Sequence, residues 1–167
     1  MNPLVSIIMG SKSDYKVLEA AAIFLDENEV PFEMHALSAH RTPDEVKQLV
    51  SSAHERGVKV IIAAAGMAAH LPGVVASFTF LPVIGVPINA SFDGLDALLA
   101  IVQMPPGIPV ATVGVNAAQN AAILALQILA SSDKKYEEKV RAFKLGLKKK
   151  VVAANEDLAL QKFKFRV

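Results

Sequence analysis

Five short apolar runs recur along the first 130 residues, at Leu4 to Met9, Phe32 to Leu37, Val58 to Ala64, Pro82 to Val86 and Val110 to Val115. Each is followed by a stretch of helical spacing, near 12–27, 43–56, 68–79, 94–103 and 117–130, so the order reads βαβαβαβαβα. Strands separated by helix-length crossovers pair in parallel, because the crossover returns the chain to the same end of the sheet. Val60-Ile61-Ile62-Ala63-Ala64 is apolar throughout. A strand without polar alternation is one covered by helices on both faces. The pattern therefore predicts an α/β fold, a three-layer sandwich around a five-stranded parallel sheet of flavodoxin-like strand order.

Beyond residue 130 the pattern changes. Tyr136, Val140, Phe143, Leu147 and Val151 follow one another at spacings of four, three, four and four, one stripe of a long amphipathic helix. Ser131-Ser132-Asp133 reads as the cap of that helix and not as a linker. A single domain over 1–167 is expected, with an α/β core over 1–130 and a C-terminal amphipathic helix over 131–167. The stripe needs a landing surface, on its own domain or on a neighbouring subunit.

Composition narrows the class. A chain of 167 residues with 53% apolar and 20% charged content buries a sizeable core, which excludes disorder. The net charge of +1 gives no global field for a polyanion, so nucleic acid is not the expected partner. Charge is nonetheless unevenly spread: residues 1–130 carry 6 basic and 11 acidic side chains, net −5, and residues 131–167 carry 11 basic and 5 acidic, net +6. Lys148-Lys149-Lys150 thus keeps an anionic partner open as a second reading of the tail, beside a solvated basic helix. The absence of Cys excludes disulfides, thiolate catalysis and Cys-based metal sites, and fits a reducing compartment. The N-terminus lacks the features of a secretory signal, and no apolar stretch reaches the roughly 18 residues that span a bilayer. A soluble, cytoplasmic protein without a membrane partner is expected.

Ligands of open parallel sheets bind beyond the carboxyl ends of the strands, so the segments leaving strands one to three matter most. Strand one exits into Gly10-Ser11-Lys12-Ser13-Asp14. A Gly and two Ser at a helix N-terminus suit a phosphate, and the Asp14 carboxylate can accept from ribose hydroxyls; Ser13 and Asp14 are equally good helix caps. The loop matches neither dinucleotide nor P-loop spacing, which leaves a mononucleotide. Strand two exits into Ser38-Ala39-His40-Arg41-Thr42-Pro43. Arg41 can grip a phosphate with two donors and His40 can move a proton near neutrality, against the plainer roles of surface ion pair and cap. Strand three exits into Ala65-Gly66-Met67-Ala68-Ala69-His70-Leu71-Pro72-Gly73, small and apolar apart from His70. Such a wall suits a flat ring and a small uncharged molecule, and His70 reads either as catalytic or as the tie of a turn. His40 and His70 lack ligand spacing with each other or with an acidic partner, so no metal site is expected.

These segments, together with Ile101-Val102-Gln103-Met104-Pro105, resemble in order the motifs of the N5-carboxyaminoimidazole ribonucleotide mutases of purine biosynthesis, over about residues 4–130. The resemblance implies an isomerase that converts N5-carboxyaminoimidazole ribonucleotide to 4-carboxy-5-aminoimidazole ribonucleotide without ATP, metal or organic cofactor. It implies that Ser11 and Arg41 contact the phosphate, that Asp14 binds ribose, and that His40 transfers the proton, with Ser38 opening its loop. Ala65, Gly66, Ala69, His70 and Leu71 would wall the ring and the migrating carboxylate. It further implies a homo-octamer whose C-terminal helix reaches a neighbouring subunit. Two positions depart from the family pattern: Met67 stands where Gly is usual, and Pro106 where Arg or Gly is common. The alternative is a carboxylase that adds free carbon dioxide to aminoimidazole ribonucleotide, a group that usually lacks Ala-Ala-His-Leu-Pro-Gly in the third loop. A response-regulator-like module of the same fold would need a phosphoacceptor Asp where Ala64-Ala65-Gly66 stands, and a flavin carrier would want more aromatic side chains than Tyr15 supplies.

Overall fold

The computed structural model describes residues 1–166. Its strands are β1 (Val5–Met9), β2 (Phe32–Ala36), β3 (Val60–Gly66), β4 (Val83–Ile88) and β5 (Ala111–Thr112), and its helices are α1 (Tyr15–Glu27), α2 (Pro43–Ser51), α3 (Leu71–Ser77), α4 (Leu95–Val102), α5 (Ala118–Ala130) and α6 (Lys134–Ala159). Short 3-10 turns, Lys12–Asp14 and Phe92–Gly94, precede α1 and α4. All pairings are parallel, in the order β2-β1-β3-β4-β5. The chain moves outward from β1 in one direction to β2 and then in the other to β3, β4 and β5. That reversal makes the switch point, between β1 and β3, which the sequence pattern anticipated.

Two apolar layers sandwich the sheet because successive strand residues point to opposite faces. Val5, Ile7 and Met9 meet Leu18, Phe24 and Leu25 of α1 and Ala118, Ala122 and Leu126 of α5. Ile8, Ile61 and Ala63 join Val46 and Val50 of α2 and Leu71 and Val75 of α3 on the other face. Gly85 of β4 lets α4 come close, since a Cβ there would lie 2.4 Å from Ile101 Cγ2.

Several boundaries differ from the sequence pattern, and two of them have a clear local cause. The fifth apolar run, 110–115, yields only the two-residue β5, paired Ile84 with Ala111 and Gly85 with Thr112. The reason lies in β4, which runs on through Pro87. Gly85 and Pro87 turn their carbonyls toward the fifth run, accepting from Val113 N–H at 3.1 Å and Asn116 N–H at 2.8 Å. Pro87 has no N–H to donate back on that side, so the β4–β5 ladder stops while the β3–β4 ladder continues to Ile88. The second helix is also shorter than 43–56: after Ser51 the chain turns through 52–57, where Gly57 adopts φ +101°.

The tail forms the expected long helix, 26 residues capped by Asp133, whose carboxylate accepts from Lys135 N–H at 2.9 Å. Its apolar stripe divides in two. Tyr136, Val140 and Phe143 pack on the α1–α5 layer, with the Phe143 ring edge-on to Phe24 at 5.1 Å between centroids. Leu147 and Val151 are 48% and 71% exposed. No helix among the described residues is long and apolar enough to cross a membrane.

Candidate active site

The loop after β1 folds on its own side chains. Ser11 is the cap of the 3-10 turn, accepting from Ser13 N–H at 3.3 Å and from the Ser13 hydroxyl at 2.9 Å. Asp14 closes the box by accepting from Ser11 N–H at 3.1 Å. The capping role expected of Ser13 and Asp14 thus falls chiefly to Ser11. Burial pushes the Asp14 carboxyl above its ordinary value, and the hydrogen bonds from Ser11 and Ser13 only partly counter it.

The loop after β2 is closed by two hydroxyls. Thr42 Oγ1 accepts from Ser38 N–H at 2.8 Å and donates to the Ser38 carbonyl at 3.1 Å. Ser38 Oγ in turn accepts from the N–H groups of His40 and Arg41, each at 3.3 Å. Pro43 then starts α2 in the first-turn position that suits it. The outcome is a rigid arch with the His40 and Arg41 side chains exposed. Arg41 Nη2 donates to the Gly10 carbonyl at 3.2 Å, tying the second loop to the first.

The third segment continues β3 further than the pattern suggested: Ala65 and Gly66 are its last strand residues and only 67–70 form the turn. A Cβ on Gly66 would lie 2.8 Å from Ala90 Cβ, so glycine is what lets the exits of β3 and β4 approach. Met67 and His70 both adopt left-handed backbone, φ +54° and +51°. The His70 ring lies over Gly73, where a Cβ would meet Nε2 at 2.1 Å.

Together these segments enclose a cavity of about 460 Å³ at the switch point. It is lined by Ser11, Asp14, Ser38, His40, Arg41, Ala65, Gly66, Ala69 and Leu71, so nine of the ten residues singled out from sequence share one space. His70 is the exception. Its ring turns to the α3 side, and Nδ1 is buried without a hydrogen-bond partner among the described residues. Gln103 and Met104 also lie off the cavity lining, although their motif belongs to the resemblance. Sequence reasoning missed Ala90, which lines the cavity from the segment after β4. The same carboxyl-end rule points to it, but Asn89-Ala90-Ser91 carries no chemistry to draw the eye. Met67 lines the cavity as well, with its side chain 59% exposed. Among the described residues no group of three His, Asp or Glu is placed to hold a metal ion.

The arrangement offers a cation and a helix start for an anion, a carboxylate for hydroxyls, an imidazole free to move a proton, and an apolar wall opposite. The family model described as AIR carboxylase matches residues 4–150. The chain is similar to the N5-carboxyaminoimidazole ribonucleotide mutase of Pyrococcus abyssi, 54% identical over 148 residues, covering 88% of this chain and 85% of the relative. It is also 54% identical over 153 residues to the mutase of Methanocaldococcus jannaschii, covering 92% and 96%. Among solved structures it resembles Treponema denticola PurE, with TM-score 0.84 and 30% identity over 96% of this chain and 99% of that one.

Proposed function

The chain belongs to the AIR carboxylase family, and from that membership we infer that it is an N5-carboxyaminoimidazole ribonucleotide mutase, an isomerase that moves a carboxylate from the exocyclic nitrogen to the ring carbon of its nucleotide. The observation that carries the reading is that His40, Arg41, Ser11 and Asp14 line one cavity together with the apolar Ala65, Ala69 and Leu71. In our assignment Ser11 and Arg41 hold the phosphate, Asp14 accepts from the ribose hydroxyls, and Ser38 fixes the arch that carries His40. Ala65, Gly66, Ala69 and Leu71 flank the base, and His70 supports the turn behind it.

The chemistry needs one proton carrier used twice. His40 as imidazolium protonates the carbamate nitrogen; the C–N bond breaks with its electron pair left on nitrogen, and carbon dioxide is released into the pocket. The electron-rich ring carbon then attacks that carbon dioxide. Neutral His40 removes the proton from this carbon, which restores the aromatic ring and regenerates the imidazolium. Atoms and protons balance with no co-reactant, and confinement replaces a bimolecular encounter by an effectively unimolecular one.

The purine-pathway role, the cytoplasmic setting and the homo-octamer are part of the same proposal. The absence of Cys suits the cytoplasm. The outer half of the α6 stripe supports packing on a neighbouring subunit, since Leu147 and Val151 stay exposed among the described residues.

A carboxylate-label experiment separates mutase from carboxylase. Substrate labelled in its carboxylate is supplied in unlabelled bicarbonate, and early product is analysed. Mostly labelled product is expected. Label diluted in proportion to the bicarbonate, with efficient turnover of aminoimidazole ribonucleotide plus carbon dioxide, would establish the direct carboxylase instead.

A further inference from the structure

Met67 occupies backbone that favours glycine. At φ +54° a side chain crowds its own peptide, a cost that persists in folded proteins chiefly where the surroundings or the chemistry need that side chain. Nothing in the apolar layers of the sandwich needs it, for Met67 belongs to neither and is 59% exposed. It does line the cavity, together with Gly66, Ala69 and His40. The other apolar lining residues are of two kinds. Ala39, Ala65, Ala69 and Ala90 reach one carbon beyond the backbone, and Leu71 is 2% exposed, locked in the core as part of the floor. Among the described residues, Met67 is therefore the one long apolar side chain of the lining that is exposed, and an unbranched thioether with three rotatable bonds adapts to whatever lies against it.

Carbon dioxide has no net charge and no strong hydrogen-bonding group, so a pocket keeps it by enclosure and not by grip. We propose that Met67 is the movable wall of this pocket, a positioning residue that closes over the released carbon dioxide and sets how often it is recaptured by the ring before it escapes. The proposal rests on the mutase reading above. It assigns to this chain a retention device built on a side chain where the family pattern has none.

The test compares Met67→Gly and Met67→Leu with the parent enzyme in the carboxylate-label experiment, with nucleotide KM and Tm measured alongside. Met67→Gly is expected to lose label to bicarbonate roughly threefold or more faster relative to product formation, because the opening it creates lets solvent compete. Its nucleotide KM should stay near the parent value, and its Tm should be no lower, since glycine relieves the left-handed strain. Met67→Leu should restore retention. Equal retention in Met67→Gly and parent would overturn the wall assignment alone. A Tm depressed by several degrees in Met67→Gly would overturn it too, by making the side chain a packing element between copies. Loss of label by the parent enzyme would overturn the mutase reading, and the wall with it.

Discussion

Arg41 Nη2 and the Gly10 carbonyl oxygen are 3.2 Å apart, a bond that joins the exits of β2 and β1 across 31 positions of sequence. It uses one of the five guanidinium donors and leaves four for a ligand of the cavity that Arg41 lines. Lysine keeps the charge but cannot hold Gly10 and grip a phosphate by two prongs at once. Arg41→Lys is expected to raise the nucleotide KM about tenfold or more, the equivalent of losing a hydrogen bond to a charged group. Because the side chain is exposed, Tm should change little. A KM equal to the parent's would remove Arg41 from the phosphate site.

His40 stands exposed on an arch that its own imidazole does not help to hold: Ser38 and Thr42 make those bonds. His40→Asn should therefore fold and bind nucleotide with near-parent affinity by calorimetry. Turnover should fall by about 100-fold or more, the usual consequence of removing a general acid and base. Intact binding with an intact rate would show that some other group moves the proton.

Asp14 gives a pH dependence with a definite sign. Its carboxyl sits above the ordinary value because burial penalises the charge more than Ser11 and Ser13 relieve it. A raised folded-state value means that the folded protein binds more proton than the unfolded chain, so this group's contribution to stability is present at low pH and lost as pH rises through the raised value. Binding runs the opposite way, since only the ionised carboxylate accepts from two ribose hydroxyls. The nucleotide KM should worsen as pH falls through the raised value. Asp14→Asn should raise KM at neutral pH and remove that acid limb. Its Tm relative to the parent should improve as pH climbs from about 4 to 7. An acid limb that survives in Asp14→Asn would assign it to another group.

The sheet order and the place of the candidate cavity were legible because both follow from period and topology: apolar runs without alternation, and loops at strand carboxyl ends. What escaped depended on single atoms. Pro87 shortens β5 only because its missing N–H faces that side, which no local pattern reveals. Ala90 enters the cavity only because Gly66 lets β4 come near. His70 was open to two readings, and Gly73 bears on the choice, since the ring fills the space where a Cβ would sit. The tail stripe was visible as a period, but its division between self-packing and exposure depends on how far α5 extends beneath it.

That division predicts how the tail can be taken apart. Truncation after Gly146 keeps Tyr136, Val140 and Phe143 on the α1–α5 layer and retains the Lys139–Glu29 pair at 2.9 Å. It removes Leu147, Val151, Val152 and Leu158, all exposed within the chain. An apolar surface of that extent calls for a partner, and a second copy is the one our reading supplies. The shortened protein should keep a cooperative unfolding transition near the parent Tm, yet lose the closed assembly, eight subunits by our proposal, in light scattering, with activity falling alongside. Truncation after Ser132 should do more. It strips the cover from Phe24 and deletes buried Tyr136, and each large apolar side chain so lost costs about 2–5 kcal/mol, enough to threaten the fold of the protomer itself. The two truncations thus separate packing within the protomer from packing between copies. A parent protein that scatters as a monodisperse 17.8 kDa monomer with full activity would refute the assembly, and the outer half of α6 would then need another partner.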